Sequence, residues 1–187
     1  MRKPVVVLTI LALALSVLGS VPATAKKKKK KACPVFVGTA EAAEAELVKV
    51  TDTATEESPI ETTVEVPSGT PAEEGHAYLN VLADPKAKET GLYVRFEFPS
   101  YEDNDLYLLN PDGEEAASAA GFNQTPFGPF DGTGSGGHSE QGAEQIDGLA
   151  TADCQGYTAD LTSYMSMGGE MTVKVWLGEV APEEEEG

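Results

Sequence analysis

The sequence predicts an all-β fold, namely a β-sandwich of jelly-roll or Greek-key type with about eight strands. Three observations lead to this expectation. Apolar and polar residues alternate in several short segments, turn-forming residues separate those segments, and no long stretch has helical periodicity. A small β-barrel is the alternative, because it would use strands of similar number and length.

The strongest strand signal lies in residues 92–98, where apolar side chains alternate with polar or amphipathic ones. The alternation there and in three other segments predicts these inward-facing residues: Leu92, Val94, Phe96, Phe98, Ile60, Val64, Val66, Ala77, Leu79, Val81, Met171, Val173, Val175 and Leu177. The expected strands in chain order are residues 34–37, 46–51, 60–66, 77–81, 92–98, 106–109, 115–119, 156–163 and 170–177.

The segments between the strands carry their own signals. Residues 40–45 are rich in alanine and glutamate and predict a single helical turn. The sequence Asn-Pro-Asp-Gly at residues 110–113 is a strong turn signal. Residues 121–148 hold eight glycines and two prolines. We expect them to form one long glycine-rich loop, a length at which loops are usually functional or disordered.

Residues 1–25 are expected to be a cleavable signal peptide. Arg2 and Lys3 form a short basic start, residues 5–18 are almost wholly apolar, and Ala23–Ala25 offers small residues for cleavage. The apolar stretch is shorter than the ~20 residues that a membrane span needs. The sequence therefore predicts a secreted, extracellular bacterial protein with no transmembrane segment after cleavage.

The rest of the chain predicts three parts. Residues 26–32 form a lysine-rich arm, residues 33–179 form the sandwich domain, and residues 180–187 form an acidic disordered tail. The arm is either a tether to anionic wall polymer or lipid headgroups, or a flexible spacer. The sequence leaves both readings of the arm open.

The charge of the domain restricts its partners. From Ala32 onward the chain has five basic and 31 acidic residues, a net charge of −26. Such a surface repels nucleic acid and anionic membrane, so neither is expected as a partner of the folded body. The partners left are a cell-surface polymer, a carbohydrate or another secreted protein.

The two cysteines, Cys33 and Cys154, are expected to form one disulfide bond, as paired cysteines in a secreted chain usually do. Metal binding fits them poorly, because there is no C-x-x-C motif and no histidine lies near either cysteine in sequence. The bond would tie the start of the domain to a late strand.

One stretch resembles a known family. Residues 102–113 read E-D-N-D-L-Y-L-L-N-P-D-G, and residues 168–175 read G-G-E-M-T-V-K-V. Together with Gly156-Tyr157-Thr158 they resemble the core motif and closing hairpin of the pre-peptidase C-terminal domains of bacterial secreted enzymes. The resemblance covers residues 77–177 and implies a jelly-roll sandwich with a role in binding substrates or surfaces. It also implies that calcium binding is a property of some members.

Carboxylates at the start of one strand form a candidate calcium site. Glu102, Asp103 and Asp105 stand close together, and carboxylate oxygens are the ligands that calcium prefers. The spacing is not that of an EF-hand loop. The competing interpretation is a solvated acidic strand start, so the expectation is no cofactor, with calcium as the alternative.

A catalytic site is not expected. His76, then Asp103 or Asp105, then Ser135 follow the chain order of a chymotrypsin-type triad, but a triad is defined by geometry and not by order. Ser135 lacks the G-x-S-x-G motif of a nucleophile elbow, because residue 133 is threonine. No residue is therefore assigned a catalytic role.

Four side chains form a candidate ligand-binding patch. If the alternation is right, Tyr93, Arg95, Lys174 and Trp176 point away from the core. If their strands are neighbours, they make an exposed aromatic and basic face suited to a sugar or a partner protein. The competing interpretation is that Trp176 packs beneath the glycine-rich loop.

These observations predict a secreted, non-catalytic binding or structural module at the bacterial cell surface or in the extracellular space. A calcium-dependent adhesion module or a carbohydrate-binding module is the first alternative. A secreted hydrolase is the second alternative, and it would need a cleft in which titratable groups converge.

Overall fold

The computed structural model describes residues 39–86, 90–121, 136–151 and 154–182. The chain divides into two units, Met1–Lys31 and Ala32–Gly187, and every described residue belongs to the second. The predicted signal peptide, lysine-rich arm, first strand at residues 34–37 and final acidic residues 183–187 lie outside the described residues. Within the described part, no helix is both long enough and apolar enough to cross a membrane.

The described residues form one short helix and ten strands. The helix is α1 (Ala40–Glu44), where the Thr39 side chain accepts a hydrogen bond from the backbone N–H of Ala42 and caps the first turn. The strands are β1 (Leu47–Val50), β2 (Ile60–Val66), β3 (Gly75–Ala83), β4 (Thr90–Glu97), β5 (Asp103–Leu109), β6 (Glu115–Ala119), β7 (Gly137–Glu140), β8 (Ala143–Thr151), β9 (Gln155–Met165) and β10 (Gly169–Gly178).

The strands make an all-β sandwich of two open five-stranded sheets. The first sheet has the order β1-β3-β9-β5-β6, and the second has the order β2-β10-β4-β8-β7. The pairing is nested along the chain, because β2 pairs with β10, β3 with β9, β4 with β8 and β5 with β6. This nesting is that of a jelly roll, so the predicted fold class is confirmed and the alternative barrel is not formed.

The core lies between the two sheets and is built by the alternation of their strands. Every residue that the sequence predicts to face inward is buried or packs against the core, and Leu79, Leu92, Val94 and Phe96 have no exposed surface. Full burial of one such side chain stabilises the fold by about 1.5–3 kcal/mol. The alternate residues of the same strands therefore form the two outer faces of the sandwich.

The predicted loop over residues 121–148 is wrong from residue 137 onward. Residues 137–140 and 143–151 are β7 and β8, which pair as a hairpin across the turn at Gln141 and Gly142. Gly142 has a φ of 82°, a conformation that glycine adopts without strain. Ile146 is fully buried against β4, so this segment belongs to the core. Residues 122–135 of the predicted loop lie outside the described residues.

The predicted disulfide bond stays a prediction. Cys33 lies outside the described residues, and Cys154 lies just before β9 with a φ of 66°. A bond between them would close a loop of more than a hundred residues, which the chain-entropy model values at about 5 kcal/mol.

Candidate ligand-binding site

The outer face of the second sheet carries a stacked aromatic pair. Trp176 of β10 lies directly opposite Tyr93 of β4 in the antiparallel ladder. The two rings are nearly parallel, with an interplanar angle of 8° and centroids 5.2 Å apart. The Tyr93 hydroxyl donates a hydrogen bond of 3.0 Å to the backbone carbonyl of Glu179, which fixes the ring in place. As the sequence predicts, β4 and β10 are neighbouring strands, and Tyr93 and Trp176 lie on the same face of the sheet.

The aromatic pair is not the exposed platform that we expected. Trp176 is only 6% exposed, whereas Tyr93 is half-buried. The reason is the chain before β2: the backbone N–H of Leu177 donates to the carbonyl of Ala54, which brings that turn against β10. Trp176 is therefore the floor of a depression rather than part of a flat surface.

That depression is a cavity of about 390 Å³. It is lined by the aromatic pair, by part of the turn before β2, by one residue of β8, and by residues at and just after the end of β10. These lining residues are Thr55, Glu56, Glu57, Tyr93, Gln145, Trp176, Leu177, Gly178 and Glu179. A cavity of this size falls within the range of small-ligand sites, which are concave and combine apolar surface with a few polar groups. We take it as the candidate ligand-binding site and call it the Trp176 cavity.

The two bases predicted to join the aromatic residues lie on the same face, but carboxylates neutralise both. Lys174 Nζ lies 2.8 Å from Glu97 Oε2, and Arg95 Nε donates to Glu97 Oε1 over 2.9 Å. Arg95 also donates to Glu140 Oε2 over 2.9 Å and to Gln145 Oε1 over 3.1 Å. The patch is therefore aromatic and ion-paired, and the expectation of a basic face is corrected.

This ion-paired network continues to the edge strand β7. His138 contacts Asp147 through Nδ1 and lies 3.1 Å from Glu140 through Nε2. Burial disfavours the charged imidazolium, but hydrogen bonds to Asp147 and Glu140 outweigh it and raise the pKa of His138. Gln145 completes the network by donating from Nε2 to Asp147 over 2.7 Å. The network thus joins β10, β4, β8 and β7 across the sheet.

The electrostatic surroundings of Tyr93 are negative. Its phenol pKa is raised, first by burial and then by the charges of Asp147, Glu179 and Glu56. Two of these acids line the Trp176 cavity. The cavity therefore combines an aromatic floor with a field that favours positive charge.

The outer face of the first sheet carries a second polar cluster. His76 and Asp105 both lie opposite Thr162, on the two strands that flank β9. His76 Nδ1 lies 3.0 Å from Asp160 Oδ1 and 3.3 Å from Thr162 Oγ1. A catalytic relay needs the acid and the hydroxyl on different ring nitrogens. Here both contact Nδ1, and the carboxylate beside Nε2, that of Glu74, lies 3.8 Å away, beyond hydrogen-bond distance. Ser135, the third member of the rejected triad, lies outside the described residues.

Asp105 is the most perturbed acid of this cluster. Burial and the neighbouring charge of Asp103 raise the pKa of Asp105 to about 6, against a hydrogen bond of 3.2 Å donated by Tyr107. Burial and the neighbouring Asp105 carboxylate strongly raise the pKa of the Tyr107 phenol. Asp103 is itself buried, which raises its pKa, and its Oδ1 has no hydrogen-bond partner in the described part of the chain.

Glu102, one of the three predicted calcium ligands, is engaged in hydrogen bonds. Glu102 accepts hydrogen bonds from the Ser166 hydroxyl over 2.6 Å and from the Met167 backbone N–H over 3.3 Å, so it holds the loop before β10. Among residues 39–86, 90–121, 136–151 and 154–182, no group of three or more histidine, cysteine or acidic side chains is placed to hold a metal ion. Calcium binding stays a prediction.

No protein-family model matches this chain, and no curated protein matches it. The resemblance of residues 102–113 to pre-peptidase C-terminal domains therefore stays a prediction. The jelly-roll topology is what the resemblance implies, but many unrelated families share that architecture.

Sequence reasoning missed several residues at both outer faces. Glu56, Glu57 and Glu179 enter the Trp176 cavity, and Asp160 holds His76, through contacts between positions far apart in the chain. In a sequence with 31 acidic residues, nothing distinguishes these from solvated surface charge. The tertiary structure identifies them, through the pairing of β3 with β9 and through the contact of the turn before β2 with β10.

Proposed function

We propose that this chain is a secreted, non-catalytic β-sandwich module that binds a ligand at the bacterial cell surface or in the extracellular space. The single observation that carries the proposal is the Trp176 cavity, a concave site with a stacked aromatic floor on one outer face. Aromatic side chains contribute large contact areas at binding sites at low cost in conformational entropy.

The second outer face supports the non-catalytic part of the proposal. Asp160 and the Thr162 hydroxyl both contact Nδ1 of His76, and the carboxylate beside Nε2, that of Glu74, lies 3.8 Å away, beyond hydrogen-bond distance. The described residues therefore do not form a relay in which a separate acid orients the base of a nucleophile. A hydrolase remains the alternative to test, and hydrolysis of ester and glycoside reporters by the full chain would support it.

A carbohydrate is one candidate ligand, because sugars pack on aromatic surfaces and the cavity contains a stacked pair of aromatic rings. The resemblance to pre-peptidase C-terminal domains supports a surface-binding role in general. It does not distinguish a carbohydrate from a cell-wall polymer or a secreted protein.

Tyr93→Ala tests where binding occurs. The full chain is incubated with insoluble peptidoglycan, chitin and a bead-linked basic peptide, and the retained fraction is measured for each. We expect Tyr93→Ala to weaken retention about tenfold, because it removes half of the aromatic floor and about 1.4 kcal/mol of contact energy. A thermal melt of the variant checks that it is folded.

The matched control is Tyr101→Ala, which removes a 67% exposed tyrosine in the turn before β5. It should bind as the unaltered chain does. Unchanged retention of Tyr93→Ala would place binding elsewhere and contradict the proposed site.

A further inference from the structure

The carboxylates of the Trp176 cavity are its most distinctive chemical feature. Three of its nine lining residues are glutamates, Glu56, Glu57 and Glu179, and none of the nine is lysine or arginine. All three glutamates are exposed, and none of them forms an ion pair with another described residue. Their charges are therefore available to a ligand.

The bases nearest to the cavity do not compensate these charges. Arg95 is bonded to Glu97, Glu140 and Gln145, and Lys174 is paired with Glu97. Both bases are thus held within their own network beside the cavity. The net charge of −26 from Ala32 onward further favours the approach of a cation.

The hydrogen-bonding capacity of the lining points the same way. Thr55 donates to Glu57, Tyr93 donates to the carbonyl of Glu179, and Gln145 donates through Nε2 to Asp147. These three donors are already engaged, and the glutamates add carboxylate oxygens that accept hydrogen bonds. A guanidinium or ammonium group has donors and no acceptors, and it complements such a lining.

We propose that the Trp176 cavity binds the guanidinium or ammonium group of a basic side chain on a partner peptide. The aromatic floor would attract the cation through its ring electrons, and the glutamates would accept its hydrogen bonds. A volume of about 390 Å³ admits one long side chain with its charged end against the rings. This inference rests on the proposed function, because it names the ligand class of the same site.

Trp176 is the only tryptophan in the chain, so its fluorescence reports on the cavity directly. The full chain is titrated with acetyl-Gly-Arg-Gly-amide, with its lysine analogue, and with the citrulline analogue as a neutral match of the arginine peptide. N-acetylglucosamine is titrated separately as a carbohydrate. We expect saturable changes with the arginine and lysine peptides, at least about tenfold weaker binding of the citrulline peptide, and weakening by added salt.

Removal of the charges tests the glutamates without removing the aromatic rings. Glu56→Gln/Glu57→Gln/Glu179→Gln should weaken binding of the arginine peptide about tenfold or more. The matched control is Glu61→Gln/Glu65→Gln/Glu170→Gln, which removes three exposed charges from the paired strands β2 and β10, outside the cavity. It should bind as the unaltered chain does.

The outcomes separate the two proposals. If the citrulline peptide or the sugar saturates the signal and the arginine peptide does not, the cation inference is overturned and the cavity remains a binding site. Wild-type affinity of the cavity triple variant for the arginine peptide would overturn the inference in the same way. If no ligand changes the emission of Trp176, both proposals fail.

Discussion

Asp105 shows how a single residue on an outer face sets a pH dependence. Its pKa in the folded protein, about 6, lies above that of an ordinary aspartate, about 3.9 in the unfolded chain. The folded state therefore favours the protonated form. The stabilisation from this group is fully present below about pH 4 and is lost as the pH rises through about 6.

Asp105→Asn should consequently stabilise the protein at pH 7. The asparagine carries no charge and still offers an oxygen to the Tyr107 hydroxyl. After allowance for solvent screening we expect a gain of about 1–2 kcal/mol at pH 7, shrinking toward zero near pH 4. Thermal melts at the two pH values measure it, with Glu65→Gln on exposed β2 as a control.

The same melts test the calcium alternative. If Asp105 were a ligand, Asp105→Asn would lower the midpoint at pH 7 in the presence of calcium, and a chelator would lower that of the unaltered chain. A midpoint that does not respond to calcium would contradict the calcium alternative.

Two buried asparagines, Asn104 and Asn80, differ in their hydrogen bonds, so replacement by leucine should change the free energy of unfolding in opposite directions. Asn104 is fully buried, and neither polar atom of its amide has a hydrogen-bond partner among the described residues. Asn80 is also buried, but its amide donates to the carbonyl of Ala42 over 2.8 Å and accepts from Thr158 over 2.7 Å. The desolvation of Asn104 is thus not compensated, whereas that of Asn80 is.

Asn104→Leu should therefore raise the free energy of unfolding by about 1–2 kcal/mol, because it removes an uncompensated buried amide. Asn80→Leu should lower it by about 1–3 kcal/mol, because it leaves the Ala42 carbonyl and the Thr158 hydroxyl unpaired. Chemical denaturation of both variants gives the signs. Destabilisation by Asn104→Leu would mean that the amide has a partner in solution.

At the scale of elements, the strands with regular alternation could be predicted and the irregular hairpin could not. Residues 60–66 match β2 to the residue, because the alternation there is uninterrupted. Residues 115–119 match β6 to the residue because they follow the strong turn signal at residues 110–113, although the ladder of β6 with β5 contains a bulge. In β8, the ladder with β4 shifts between Leu92 and Val94, so that Asp147 and Gly148 stand opposite one residue. This bulge breaks the period of two, and Ile146 is left as an isolated apolar signal among polar residues and glycines.

The edge strand β7 depends on side chains as well as on its ladder. His138 bridges Asp147 of β8 and Glu140 of its own strand, and Glu140 in turn holds Arg95 of β4. Because the folded pKa of His138 is raised, its contribution is fully present below about pH 6.5 and is lost as the pH rises through the folded pKa.

His138→Gln should therefore destabilise the protein at pH 5.5 by about 0.5–1 kcal/mol, a small value because the side chain is partly exposed to solvent. As the pH rises through the raised pKa, the imidazole of the unaltered chain loses its charge, so the difference should be smaller at about pH 9. Denaturation curves at the two pH values check this. An equal loss at both would show that packing and not charge links β7 to the sheet.

At the scale of the whole molecule, the sandwich separates two chemically different faces. One presents His76, Asp105 and their neighbours, and the other presents the Trp176 cavity beside an ion-paired network. Alternation within strands predicted that Tyr93 and Trp176 share a face, but not that the distant turn at residues 54–57 closes around them. Such contacts depend on tertiary packing between segments more than a hundred residues apart.

NMR chemical shifts of the backbone amides and of the Trp176 indole N–H test most directly which face binds the peptide. They are recorded on the ¹⁵N-labelled chain during titration with the arginine peptide. The account predicts saturable shifts at the Trp176 indole N–H and at the amides of Glu56 and Gly178. It predicts unchanged amides at His76 and Asp105. Saturable shifts around Asp105 with a silent Trp176 would contradict the account and move the binding site to the first sheet.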